Sequence, residues 1–211
     1  MQIPSVQEKI AERATVELSN LLGVPVKIGH VNIGWINRLV LEDIYLEDQS
    51  GMPMLEASHI SAGFKLLPLF KRKMVFTTVR LFGFSVHLRK ADPQSPLNLQ
   101  FLLDAFASKD STKKNPNIEL RFNSILLRRG HFHYDIASEP ATPGKFNARH
   151  VDVKNITAKL SLKSFTRDSL NANINRLSME EVSGLKINNL AMQITGNKEW
   201  IAIQNLKLLL P

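Results

Sequence analysis

The sequence predicts a mainly β protein with an N-terminal helix, an α+β fold written as a meander of long, bulged strands with one short further helix. Residues 74–89, MVFTTVRLFGFSVHLR, show the unit. Val75, Thr77, Val79 and Leu81 fall on one side, and then the parity changes and Phe82, Phe84, Val86 and Leu88 take over around Gly83. Period-two alternation marks a strand with one buried face. A parity change beside glycine fits a bulge that adds one residue, since glycine tolerates the positive φ such a bulge often needs; a tight hairpin centred on Phe82 and Gly83 is the alternative. Residues 118–135 repeat the sentence, with Ile118, Leu120 and Phe122 giving way to Ile125 and Leu127 ahead of Gly130.

The elements follow in order. Ser5 and Glu8 make a capping box, and Val6, Ile10, Ala14, Leu18 and Leu21 form one apolar stripe that Gly23 and Pro25 stop. That is one amphipathic helix, roughly 25 Å long at 1.5 Å per residue. Its other face, with Glu8, Lys9, Glu12, Arg13 and Glu17, is of mixed charge and reads as solvated. Strands are predicted over 26–35 and 39–47, with a turn at 36–38 and parity changes near Gly29 and Asp43, and over 54–64, with Ile60, Ala62 and Phe64 on one face. An apolar knob around Pro68 runs into Lys71, Arg72 and Lys73, which suit either phospholipid head groups or a solvated turn. After the 74–89 strand and a turn at 92–96, Asn98 is placed to cap a helix carrying Leu99, Leu102, Leu103 and Phe106. The polar stretch 107–117 reads as a mobile loop and the one plausible subdomain boundary. Strands over 118–135, 151–162, 170–179, 185–194 and 200–210 complete the chain, so that 1–106 and 118–211 share one sheet. The apolar alternation through Leu206, Leu208 and Leu210 reads as a strand broken off at a boundary within a longer chain.

Composition narrows the function. At 211 residues and 44% hydrophobic content the chain can bury a sizeable core, and a formal charge of +8 points to an anionic neighbour. Without cysteine there are no disulfides and no thiolate chemistry. No segment approaches the ~20 apolar residues of a membrane-spanning helix. No phosphate loop, nucleophile elbow or H-E-x-x-H pattern occurs, and neither an enzyme nor a resident cofactor is expected. Glu42, Asp43, Glu47 and Asp48 flank a strand and its turn rather than converging as a carboxylate pair. His131 and His133 share a strand face and could join His150 on a metal, but with no acidic partner at ligand spacing no metal site is assigned. Asn155 opens a minimal glycosylation sequon. A nucleic-acid surface would interleave exposed aromatics with lysines, whereas the phenylalanines here lie mainly on apolar strand faces.

The N-terminal half resembles the AsmA-like family that includes TamB, of the Gram-negative envelope. The resemblance rests on Leu22, Gly23, Val24, Pro25, Val26, Ile28, Gly29, Val31 and Ile33; then Leu39, Leu41, Glu42, Asp43, Ile44, the 48–51 turn, Leu55, Ala57 and Ile60; then Leu66–Leu69, the basic turn, Val79, Leu81, Gly83, Val86, Leu88 and the Asn98-led helix. It spans about residues 6–106. It implies a long curved antiparallel sheet forming an apolar groove or half-barrel, placed on the periplasmic side of the inner membrane by an anchor that this sequence does not contain. The implied work is holding or moving phospholipid between membranes, or supporting outer-membrane protein assembly through open strand edges. Read independently, one apolar sheet face exceeds what a helix of about 25 Å can cover. The groove candidates are Ile33, Leu41, Ile60, Phe64, Val79, Phe84, Val86, Leu88, Phe122 and Ile125, and Lys71, Arg72 and Lys73 are the head-group candidates. A closed core is the competing reading of each apolar position.

Overall fold

In a computed structural model of the chain, the described residues are 4–34, 37–64, 73–107, 117–166, 169–197 and 199–211. Helix α1 (Pro4–Leu22) leads into strands β1 (Val26–Gly34), β2 (Arg38–Glu47), β3 (Pro53–Phe64) and β4 (Lys73–Lys90). Helix α2 (Gln100–Ala107) precedes β5 (Asn117–Ile136), β6 (His150–Thr166), β7 (Ser169–Glu181), β8 (Lys186–Gly196) and β9 (Ile201–Leu209). The nine strands form one open sheet in sequence order, β1 to β9. The 118–211 half therefore continues the sheet begun by the first half. The predicted loop at 107–117, the knob at 66–70, and Lys71 and Arg72 lie largely or wholly outside the described residues.

Two expectations need correction. The sheet is not wholly antiparallel: β4 and β5 run parallel along their whole length, Lys73↔Asn117 through Lys90↔Ile136. The cause is the α2 connection, which carries the chain back to the end where β4 began, as parallel pairing requires. Helix α1 begins at Pro4, which puts Ser5 inside the first turn rather than at the cap; proline at the first helical position is a sound start in its own right.

Helix α1 lies along the β1 edge. The Val26 amide donates to Ser19 Oγ (3.0 Å) and the Ile28 amide to Thr15 Oγ1 (3.2 Å), while Ser19 Oγ donates to the Val26 carbonyl (3.4 Å). A strand edge that would otherwise offer free backbone groups is thus covered by helix hydroxyls. The face of α1 that carries Ala11, Ala14, Leu18 and Leu22 joins the start of α2 in one core with β1–β3, in which Ala11, Val24, Val26, Ile28, Val31, Leu46, Met54 and Phe101 are all buried; Ile10 and Leu21 of the predicted stripe are instead exposed, one position off the buried face. We call this the near end of the sheet, and the end marked by Gly34, Arg38, Phe64 and Asn117 the far end.

A seam of parity changes crosses the strands. Within strands, Asp43, Gly83, Arg129 and Asn155 have positive φ (53° to 56° for the three non-glycine residues, 57° for Gly83) along this seam; Asn205 in β9 (54°) has one too, but lies further out, opposite Met192. The flanking pairs Ile28↔Ile44 and His30↔Glu42 set Gly29 opposite Asp43. In the same way Asp43 lies opposite Ser58, Ser58 opposite Gly83, and Gly83 beside Arg129. Leu41 and Ile44, Ala57 and Ile60, Leu81 and Phe84, Val153 and Ile156, each three residues apart, consequently share one apolar cluster. The expected one-residue bulge is absent at the seam in β1–β4, where the register continues unbroken; neighbouring strands turn over together. One-residue slips do occur in β5–β9. Small residues make this possible. A Cβ on Gly29 would stand 2.9 Å from Asp43 Cβ, and one on Gly83 would stand 2.8 Å from Ser58 Oγ. One detail of the sequence reading changes: Phe82 is exposed (40%) on the face opposite Phe84.

Candidate functional site

Because β1–β6 turn over at the seam, the apolar side chains stay on one face on both sides of it. Just beyond the seam in β1–β6, and continuing through β7–β9, runs an uninterrupted row of directly paired apolar residues: Val31, Leu41, Ile60, Leu81, Leu127, Ala158, Leu177, Leu190 and Leu208. At about 4.8 Å per strand the row is roughly 38 Å long. A second row lies one pleat further out, through Leu39, Ala62, Val79, Ile125, Leu160, Ile174 and Met192.

The two ends of this face differ. At and near the seam Ile44, Ala57, Phe84, Val153 and Ile156 are 4–9% exposed. Neither helix reaches across β4–β6, so these residues are covered by side chains of the same sheet, and the trough is self-filled there. The Phe84 ring lies on Gly130, where a Cβ would come within 2.1 Å of it. Further out, Ile60, Leu81, Ile125, Leu127, Leu160, Ile174 and Met192 are half-buried, whereas Val31 and Ala158 are buried, Val31 in the core shared with the helices, against which Leu39 and Leu41 also pack. The last strand is barer still: Ile201, Ile203, Leu206, Leu208 and Leu209 are 52–67% exposed, and β9 has no neighbour on its outer side among the described residues. The chain keeps 14204 Å² of accessible surface, against about 9,900 Å² for a compact monomer of 23.8 kDa.

The sequence candidates distribute as follows. Leu41, Ile60, Val79 and Ile125 sit together in the half-buried rows, Val86 and Leu88 are half-buried at the near end, and Phe84 is buried in the filled part. Ile33, Phe64, Phe122 and Lys73 are placed in β1, β3, β5 and β4, and their side chains lie outside the described residues. Sequence reasoning did not single out Leu39, Leu81, Leu127, Leu160, Leu177, Leu190 or Met192 as trough residues. Their alternation was visible, but which strands meet, and in what register, was not.

The hydrogen-bonded polar clusters lie at the near end, and their roles are structural. Asp48, 2% exposed, accepts from the Ser50 and Met52 amides, Ser50 Oγ, Asn98 Nδ2 (2.9 Å) and Arg89 Nη1 (3.1 Å). Burial works to raise its pKa, but the hydrogen bonds from Asn98, Ser50 and Met52 outweigh it and hold the carboxyl below its usual range. Asn98 is therefore a latch between β4 and the 48–52 turn rather than a simple helix cap; its Oδ1 also accepts the Arg89 amide.

The histidines have the acidic partners that sequence spacing could not reveal. His131 Nε2 is 2.6 Å from Asp152 Oδ1, and His150 Nδ1 is 2.5 Å from Asp135 Oδ1. His150 Nε2 is also 2.9 Å from the Glu139 carbonyl oxygen. Among the described residues no group of three His, Asp or Glu side chains is arranged to hold a metal ion. A cleft of ≈ 300 Å³ between the 141–147 loop and the 181–183 turn is lined by these paired groups, including Asp135, His150 and Glu181. Glu42 faces His59 (3.6 Å) and Asp43 forms the seam, so the acidic residues of β2 do not converge.

The chain matches no protein-family model, and no curated protein matches it.

Proposed function

We propose that the protein is a non-enzymatic lipid-holding module whose far-half trough takes phospholipid acyl chains. The observation that carries this reading is the unbroken apolar row from Val31 to Leu208, buried at its Val31 end by the helices but half-buried at Ile60, Leu81, Leu127, Leu177 and Leu190, with no described helix lying over β4–β9. At about 25 cal/mol per Å² of apolar surface removed from water, a few methylenes laid on such a row bind appreciably without a charged contact. The resemblance of residues 6–106 to AsmA-like proteins supports the same reading. It adds the proposed setting: the periplasmic side of a Gram-negative inner membrane, with an anchor, and traffic toward the outer membrane.

The test separates trough from core. Native mass spectrometry after mild extraction is expected to find phospholipid on the wild-type chain. Ile125→Asp should fold and lose that load, whereas Phe84→Asp, in the filled part, should not fold. A chain always free of lipid, or an Ile125→Asp variant that unfolds as Phe84→Asp does, would overturn the reading.

The β9 strand supports a second reading, a scaffold that pairs with a partner strand, such as one of an outer-membrane assembly protein. Its bare edge and exposed Ile201, Ile203 and Leu209 suit strand addition. Concentration-dependent association removed by proline at Ile203 would favour it.

A further inference from the structure

We infer that the outer face of the far half is a docking surface for an anionic phospholipid bilayer. The inference stands on charge and register, and does not require the trough to hold lipid. Between the two apolar rows of the inner face runs a row pointing the other way: Val40, Ser61, Arg80, Leu126, Lys159 and Arg176, each directly paired with the next. Arg38 and Arg128 flank it two residues along their strands, and Arg38, Arg80, Arg128, Lys159 and Arg176 are all exposed.

None of these five cations has a carboxylate within ion-pair distance among the described residues; the pairs Arg89–Asp48, Arg149–Glu139, Lys154–Asp152 and Lys186–Glu180 all lie at the near end. Lys159 and Arg176 even stand directly across from one another. Opposed like charges destabilise a sheet. With no acid to relieve them, they are relieved by an anion from outside.

The shape of the patch selects a bilayer over a nucleic acid. The cations span β2 to β7, about 24 Å at 4.8 Å per strand, which suits many head groups at once. Val40, Phe82 and Leu126 lie among them as apolar contacts for the interface. Phe82 cannot serve as a base-stacking platform, because the Arg129 guanidinium already lies over its ring, 5.4 Å from the centroid.

The experiment is vesicle flotation of the whole chain with phosphatidylcholine alone and with phosphatidylglycerol added, alongside a single-stranded oligonucleotide as competitor. Binding should require phosphatidylglycerol and fall as salt is raised. It should weaken about fivefold for each of R80Q, R128Q, K159Q and R176Q, and become undetectable in the combined variant. Melting temperature should not fall, and relief of the Lys159–Arg176 opposition should if anything raise it, while co-purified lipid stays at the wild-type level, which distinguishes failure of docking from failure of acyl-chain binding. Equal binding to phosphatidylcholine, wild-type binding by the combined variant, or preferential and equally variant-sensitive binding of the oligonucleotide would overturn the inference. Should the combined variant lose its fold, the single variants decide: no weakening in any of them contradicts it.

Discussion

At the scale of single residues, the account turns on where the sheet demands a small side chain. Gly130 is the sharpest case, since any Cβ there collides with the Phe84 ring. We expect Gly130→Ala to cost about 1–3 kcal/mol by forcing the ring off its seat, read as a lowered denaturant midpoint; a stability equal to wild type would contradict the packing described. His87 gives a pH dependence. Burial, then the neighbouring His133, Arg89 and His131 charges, lower its pKa below the usual histidine value. In a group so depressed, the unfolded chain takes up a proton that the folded chain refuses as pH falls below about 6.5. Its contribution to stability is therefore lost as pH drops from there toward the folded pKa, and is flat above. The other groups facing it are Glu56 from β3 and, beyond His131, Asp152 from β6. His87→Gln should flatten that part of the stability profile; an unchanged profile would remove His87 as its source. Gly83 and Asp43 were legible as parity breaks, because glycine and a polar residue interrupt apolar alternation. That Gly130 serves Phe84 was not legible, because the contact joins parallel strands whose pairing depends on a crossover the sequence does not specify.

At the scale of elements, α1 is the sheet's edge guard. Replacing Thr15 by Val and Ser19 by Ala removes the acceptors for the Ile28 and Val26 amides. The double variant should lose about 1 kcal/mol per hydrogen bond and begin to self-associate through β1, measured by sedimentation velocity; a strictly monomeric, fully stable variant would contradict the role. Helix existence and most strand positions could be read from periodicity, because 3.6 and 2 are different rhythms along the chain. Strand direction could not: α2 reads as a short amphipathic helix whether its neighbours run parallel or antiparallel. The seam was half legible, since individual parity changes showed in the sequence while their alignment into a line exists only once strands are paired.

At the scale of the whole molecule, strands that turn over along one line in β1–β6 keep a single greasy face in a sheet whose helices cover only its β1 edge and its near end. The trough itself was readable as an excess of apolar face over helix, but its filled and open parts were not, because filling depends on curvature, which brings Ile44, Phe84 and Val153 into one cluster. The central claim is that the open part, beyond the seam, holds acyl chains on its inner face alone. The most direct measurement places a photoreactive benzoylphenylalanine at adjacent residues of one strand: Thr78 or Val79 in β4, and Ile125 or Leu126 in β5. The account predicts phospholipid crosslinks from positions 79 and 125 in the isolated chain and none from 78 and 126. Crosslinks absent from 79 and 125, or equal on both faces, would contradict it.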